Sequence, residues 1–172
     1  MTDYYNITQV ATLKADYPNY PTPIASAFAA LLPALARHIE AEREIEEVDI
    51  WDPAFRAWLT DAEVAFTDVT THLSTIASLE LTCAHDKPLK RMSLLVNSLI
   101  RSEEPDNFMF IYGLRPHFED LFQCEGSGPA VRDRNVMLGQ ALAHIDAMAT
   151  LLTYDGCAGV EADDSIDPPA LT

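Results

Sequence analysis

Along this chain apolar residues recur every three or four positions in several long segments, the spacing that places side chains on one face of an α-helix. The first segment opens at Thr22-Pro23, a capping hydroxyl followed by a proline whose missing N–H is no loss in a first helical turn. Its stripe is Ile24, Phe28, Leu31, Leu32, Leu35 and Ile39, and a helix is expected over about 23–48. Pro33 lies inside that pattern and removes one backbone donor, so a kink is expected there rather than a stop. Asp52-Pro53 repeats the start signal and opens a second helix, about 53–80, with Phe55, Trp58, Leu59, Ala62, Phe66, Val69, Leu73 and Ile76 on one side.

A third periodic segment, about 87–101, carries Leu89, Met92, Leu95, Val96, Leu99 and Ile100. After Glu103-Glu104-Pro105 comes an aromatic run, Phe108 to Tyr112, then Gly113, Pro116, Phe118, Leu121 and Phe122. Two short helices are expected, with a strand at 108–112 as the alternative because aromatic and β-branched residues favour strands. Gly126 to Pro129 marks a turn, and Val131, Leu138, Ala141, Leu142, Ile145, Met148, Ala149 and Leu152 form the stripe of a last helix ending near Gly156.

The expected fold is therefore all-α, a helical bundle of four to five main helices in one domain over 23–156. An irregular N-terminal arm, 1–22, holds Tyr4, Tyr5, Tyr17 and Tyr20, rings that can lie on a preformed surface. The tail, 157–172, is acidic, holds two prolines and is expected to be mobile. At 172 residues the chain is long enough for one core that buries roughly 70% of the unfolded surface.

Charge changes the picture. Eleven Lys plus Arg against 27 Asp plus Glu give −16, and because phosphate contacts need a cationic face this argues against direct binding to nucleic acid or anionic lipid. A macromolecular partner is expected to be basic. Three cysteines, Cys83, Cys124 and Cys157, at irregular spacing read as reduced thiols, hence a cytoplasmic setting. The N-terminus has no basic region leading into an apolar run, and no stretch approaches the ~18 apolar residues of a spanning helix, so neither export nor membrane insertion is expected.

Chemistry-bearing patterns are sparse. The chain has no phosphate-cradling Gly-rich Lys-Ser/Thr loop, no Gly-x-Ser-x-Gly, no His-Glu-x-x-His and no Cys-x-x-Cys. His38 with Glu42, and Asp68 with His72, have the i,i+4 spacing that puts two metal-capable groups on one helix face, and His144 lies beside the last stripe. The Glu-x-x-His pair of a dinuclear bundle site is missing, so these histidines read as boundary residues and neither metal nor cofactor is expected. Cys83, His85, His117 and Cys124 are four zinc-capable groups at spacings that fit no common framework, and no cysteine–histidine pairing stands out for nucleophilic catalysis.

Residues 81–101 carry a net +3 from Lys87, Lys90, Arg91, Arg101 and Asp86, whereas 23–80 carry −8. Cations in the first turns of a helix oppose its dipole, so acidic groups on neighbouring helices, or a bound anion, are expected to compensate them. On the first helix Glu40, Glu44 and Glu47 project outward, while Glu42 and Glu46 fall close to the stripe, either because the helix runs past the core or because they face a partner. Arg134 falls within the last stripe and would pair with Glu42 or Glu46 if the bundle joined those ends.

These patterns favour an acidic interaction module that binds a basic partner protein through Glu40, Glu44 and Glu47: an inhibitor, an immunity-type protein or a mimic of nucleic-acid charge. Two alternatives are a bundle enzyme or ligand/metal-binding protein using His38, Glu42, Asp68 and His72 or the basic segment, and a structural homo-oligomer with 108–122 as a dimer face.

Overall fold

The computed structural model describes residues 21–46, 48–49, 51–102 and 104–154. Of these, 79% are helical and none is in a strand, so the bundle expectation holds and the strand alternative at 108–112 does not. The arm residues 1–20, the tail and Glu47 lie outside the described residues.

Five α-helices follow one another: α1 (Pro23–Glu46), α2 (Phe55–Ser78), α3 (Asp86–Ile100), α4 (Pro105–Leu114) and α5 (Pro129–Met148). A 3₁₀ segment, Arg115–Phe122, extends α4, and a 3₁₀ turn, Leu152–Tyr154, follows α5. The Thr22 hydroxyl accepts from Ala25 N–H at 3.2 Å, which is the expected cap of α1. Asp52 instead accepts from Ala54 N–H at 2.8 Å, forming a local turn, and α2 starts three residues later than Asp52. Pro33 faces away from the core and α1 continues through it without a break. Gly126, at φ 114°, supplies the left-handed turn that leads into α5.

All six residues of the α1 stripe are buried, as are Leu89, Met92, Val96, Leu99 and Ile100 of α3 and Val131, Leu138, Ala141, Ile145 and Met148 of α5. Around these the core closes with Phe108 and Tyr154, whose rings stack at 4.5 Å between centroids. By length and apolarity alone α1 is the one described helix that could cross a membrane, a result the sequence reading of apolar runs did not anticipate. Half of its apolar window is buried inside the bundle, which accounts for that apolarity.

Two expected stripes are not buried throughout. In α2, Ala62, Val69, Leu73 and Ile76 are buried, but Leu59 is 41% and Phe66 38% exposed. The second half of α2 lies beside α3, where Thr70, Leu73, Ser74 and Ala77 line one depression with Ser93, Leu94 and Asn97. The last helix stops at Met148, eight residues short of Gly156, because the chain turns back so that Tyr154 enters the core and Leu152 is left 54% exposed.

Candidate functional site

The expected partner face begins on α1, where Glu40 and Glu44 are both exposed. They lie three and seven residues beyond Arg37, hence on the same flank of the helix. Arg37 is an ion-pair partner of Asp68 at 2.5 Å across the α1–α2 hairpin, and one turn before Asp68 lies Val64, 61% exposed. Antiparallel helices then place Glu40 and Glu44 beside the row Asp61–Val64 of α2. Among the described residues neither glutamate is in an ion pair, and Glu63 lines the shallow depression that Arg37, Val64 and Asp68 share.

The two i,i+4 pairs are separated by the fold. Asp68 lies 3.5 Å from His72 but is already held by Arg37 on a partly exposed flank. His38 is not the boundary residue its wheel position suggested: it is 1% exposed, with its ring edge-on to Phe66 and its Nε2 3.4 Å from the Tyr154 hydroxyl. Its Nδ1 is 3.7 Å from Glu42 and has no hydrogen-bond partner. Burial disfavours imidazolium, and the His38 pKa is lowered from 6.5 to about 4. Burial likewise raises the Glu42 pKa, opposed by the hydrogen bond from Thr153. The Tyr154 phenol is pushed above its ordinary value first by burial and then by the nearby Glu42 carboxylate.

Glu42 and Glu46 have a partner within the chain. Thr153 Oγ1 donates to Glu42 at 3.2 Å and Leu152 N–H donates to Glu46, so His38, Glu42 and Glu46, one turn apart in a straight row, clasp the 152–154 turn. This row belongs to the fold's own closure.

Arg134 does not pair with either glutamate. It is 5% exposed and donates to Asp86 Oδ1 twice, from Nε at 3.0 Å and Nη2 at 2.9 Å, with further bonds to Thr22 Oγ1 and the Ala130 carbonyl. Thr22 Oγ1 donates to the same Asp86 oxygen at 2.8 Å, so one hydroxyl caps α1 and ties it to α3 and α5. Asp86 is fully buried and its Oδ2 has no partner. Sequence reasoning weighed Asp86 only as a charge; its place at the first residue of α3, where a carboxylate suits the dipole, was the available signal.

One cation of α3, Lys90, is compensated differently from expectation. Lys90 Nζ donates at 2.6 Å to the Leu79 carbonyl, the open C-terminal end of α2, so a helix terminus does what an acidic side chain was expected to do. The four zinc-capable groups assemble only in part. Cys83 Sγ lies 3.5 Å from His85 Nδ1 and Cys124 Sγ donates to the His85 carbonyl at 3.3 Å, while His117 is exposed on the 3₁₀ segment. Burial raises the Cys124 thiol above its ordinary pKa, which keeps it from acting as a ready thiolate. Among the described residues no three His, Cys, Asp or Glu side chains converge as metal ligands. Compared with known protein families, characterised proteins and solved structures, the chain matches none.

Proposed function

We propose that this chain is an acidic interaction module that binds a basic partner protein in the cytoplasm through the flank of α1 carrying Glu40 and Glu44, in the manner of an inhibitor or a nucleic-acid-charge mimic. Supporting this is the contrast on that flank: Arg37 is engaged by Asp68, whereas Glu40 and Glu44 are exposed and in no ion pair among the described residues. Val64 beside them gives a partner one apolar anchor within an acidic field. Glu47 extends the same acidic run in sequence but lies outside the described residues. Such a face raises the association rate by long-range attraction, an effect that salt screens.

The test is affinity capture from the native cell with wild type and with E40K/E44K. A basic protein recovered by wild type at low salt, released at high salt and lost from the variant is the expected result. Both positions are exposed, so the variant should keep its helical circular dichroism. Recovery of the same partners by the variant across low and high salt ends the reading.

A further inference from the structure

One helix of this acidic chain presents its cations as a row. At about 100° per residue, Lys87, Arg91, Leu94, Ser98 and Arg101 fall within an arc of about 80° on α3 and its cap. All five are exposed, and the core residues Met92, Val96 and Leu99 lie on the opposite side, so they form one continuous strip facing away from the bundle. No other described helix carries two exposed Lys or Arg one turn apart.

The charge of this strip is uncompensated within the described bundle. Asp86, the one carboxylate of α3, is buried on Arg134, and Lys90 is spent on the Leu79 carbonyl. Among the described residues Lys87, Arg91 and Arg101 are in no ion pair, and neither are Glu80 and Glu104, the exposed carboxylates that flank α3 in sequence. Arg101 Nε donates to the Asn97 amide oxygen at 3.0 Å, a neutral partner that holds the guanidinium on the strip. Between the cations Leu94 is 55% exposed, and it lines with Asn97 and Arg101 the α2–α3 depression, whose volume is about 240 Å³. Three cations around one bare apolar side chain fit an acidic segment rather than a basic one.

The chain itself supplies such a segment. Glu161, Asp163, Asp164 and Asp167 follow Tyr154, the last described residue, and no Lys or Arg occurs after Arg134. Tyr154 lies near the C-terminal end of α3: its ring stacks on Phe108 at 4.5 Å, and four chain links plus one helical turn place Phe108 within about 20 Å of Arg101. From Tyr154 the chain can extend about 23 Å to Glu161 and about 43 Å to Asp167, enough to reach the strip and follow it. The lengths also match, since 161–167 covers about 20 Å when extended and α3 rises about 21 Å from Lys87 to Arg101. An acidic segment of another molecule would have to approach a chain of net charge −16, whereas a tethered one is already at high local concentration.

We infer that the acidic segment 161–167 docks along the Lys87, Arg91 and Arg101 strip of α3, running antiparallel to the helix with its carboxylates against the three cations. The contact is independent of the partner face that carries Glu40 and Glu44. It makes the segment a built-in competitor for any acidic ligand of α3, which must displace it to reach the cations.

The test uses the full chain with a photo-crosslinker in place of Leu94, an exposed position outside the core. Mixing isotope-labelled with unlabelled chains separates capture within one chain from capture between copies. At low salt the crosslinker should capture 155–172 of its own chain, and capture should fall at least about tenfold in about 1 M salt, where the screening length is about 3 Å. The same loss is expected in K87E/R91E and in D163N/D164N, while E40K/E44K leaves capture unchanged. Lys87 and Arg91 are exposed, so K87E/R91E should keep its helical circular dichroism, and D163N/D164N decides alone if it does not. The inference fails if every link lands elsewhere in the chain or on a second copy, if no link forms, or if capture persists in D163N/D164N or in a folded K87E/R91E.

Discussion

Two buried polar clusters hold opposite ends of α1, and they solve the same problem in different ways. At the N-terminal end Asp86 and Arg134 form an ion pair inside the protein, with Thr22 as a shared hydrogen-bonding hydroxyl. At the C-terminal end His38, Glu42 and Tyr154 meet without an opposing cation, and burial lowers the His38 pKa to about 4 so that the ring is neutral. The first cluster joins three helices through compensated charge. The second keeps its histidine ring neutral and fastens only the 152–154 turn. One therefore depends on every partner being present, and the other depends on pH.

The largest expected effect follows from breaking the ion pair. Arg134→Met keeps most of the side chain's length but leaves Asp86 buried with no cation, and removing one member of a buried pair typically costs about 3–5 kcal/mol. Urea denaturation should show that loss. Replacing both members, Asp86→Leu with Arg134→Met, should recover much of it, because two apolar side chains leave no orphaned charge. A double variant no more stable than the single one would mean that the pair's geometry, rather than charge compensation, holds the three helices.

The second cluster should respond to acid. Above pH 6.5 His38 is neutral in both folded and unfolded chains and contributes no pH dependence. As pH falls from 6.5 towards 4 the unfolded chain takes up a proton that folded His38 resists, so stability declines through that window and the loss is complete near pH 4. The gap is worth about 3 kcal/mol. The raised pKa of Glu42 acts in the opposite sense, since the folded state then holds a proton the unfolded state would release, and it trims the loss at the acid end. His38→Gln should flatten stability against pH between 6.5 and 4, measured by urea midpoints; an unchanged slope would assign the acid sensitivity to other groups.

The helices were legible because each stripe recurs over several turns and because Thr22-Pro23, Gly128-Pro129 and Gly126 act through backbone chemistry that needs no tertiary partner. The clusters were not. Arg134 in a stripe could be recognised as needing a carboxylate, but the choice of Asp86 over Glu42 or Glu46 depends on which helix ends meet, and periodicity is silent on that. His38 looked peripheral because a wheel counts only neighbours on the same helix, whereas its burial comes from Phe66 and Tyr154. Leu59 and Leu152 also obey the helical pattern yet are 41% and 54% exposed, Leu152 because α5 ends at Met148 and the chain turns back.

The finest comparison uses one substitution in both clusters. Thr22 and Thr153 each donate a hydroxyl to a carboxylate, Thr22 to Asp86 at 2.8 Å and Thr153 to Glu42 at 3.2 Å. Valine keeps the shape and deletes the hydroxyl. At position 22 the change strips a donor from a fully buried carboxylate whose other oxygen already lacks a partner, and it removes the cap of α1 as well. Hydrogen bonds to charged groups contribute about 1.5–3 kcal/mol and an N-cap about 1, so Thr22→Val should cost about 2–3 kcal/mol, the contributions overlapping in one atom. At position 153 the hydroxyl is exposed and water replaces it, so Thr153→Val should stay within about 0.5 kcal/mol. Equal costs in the two variants would show that the C-terminal clasp is as dry and as demanding as the N-terminal ion pair, and would remove the distinction between the two clusters.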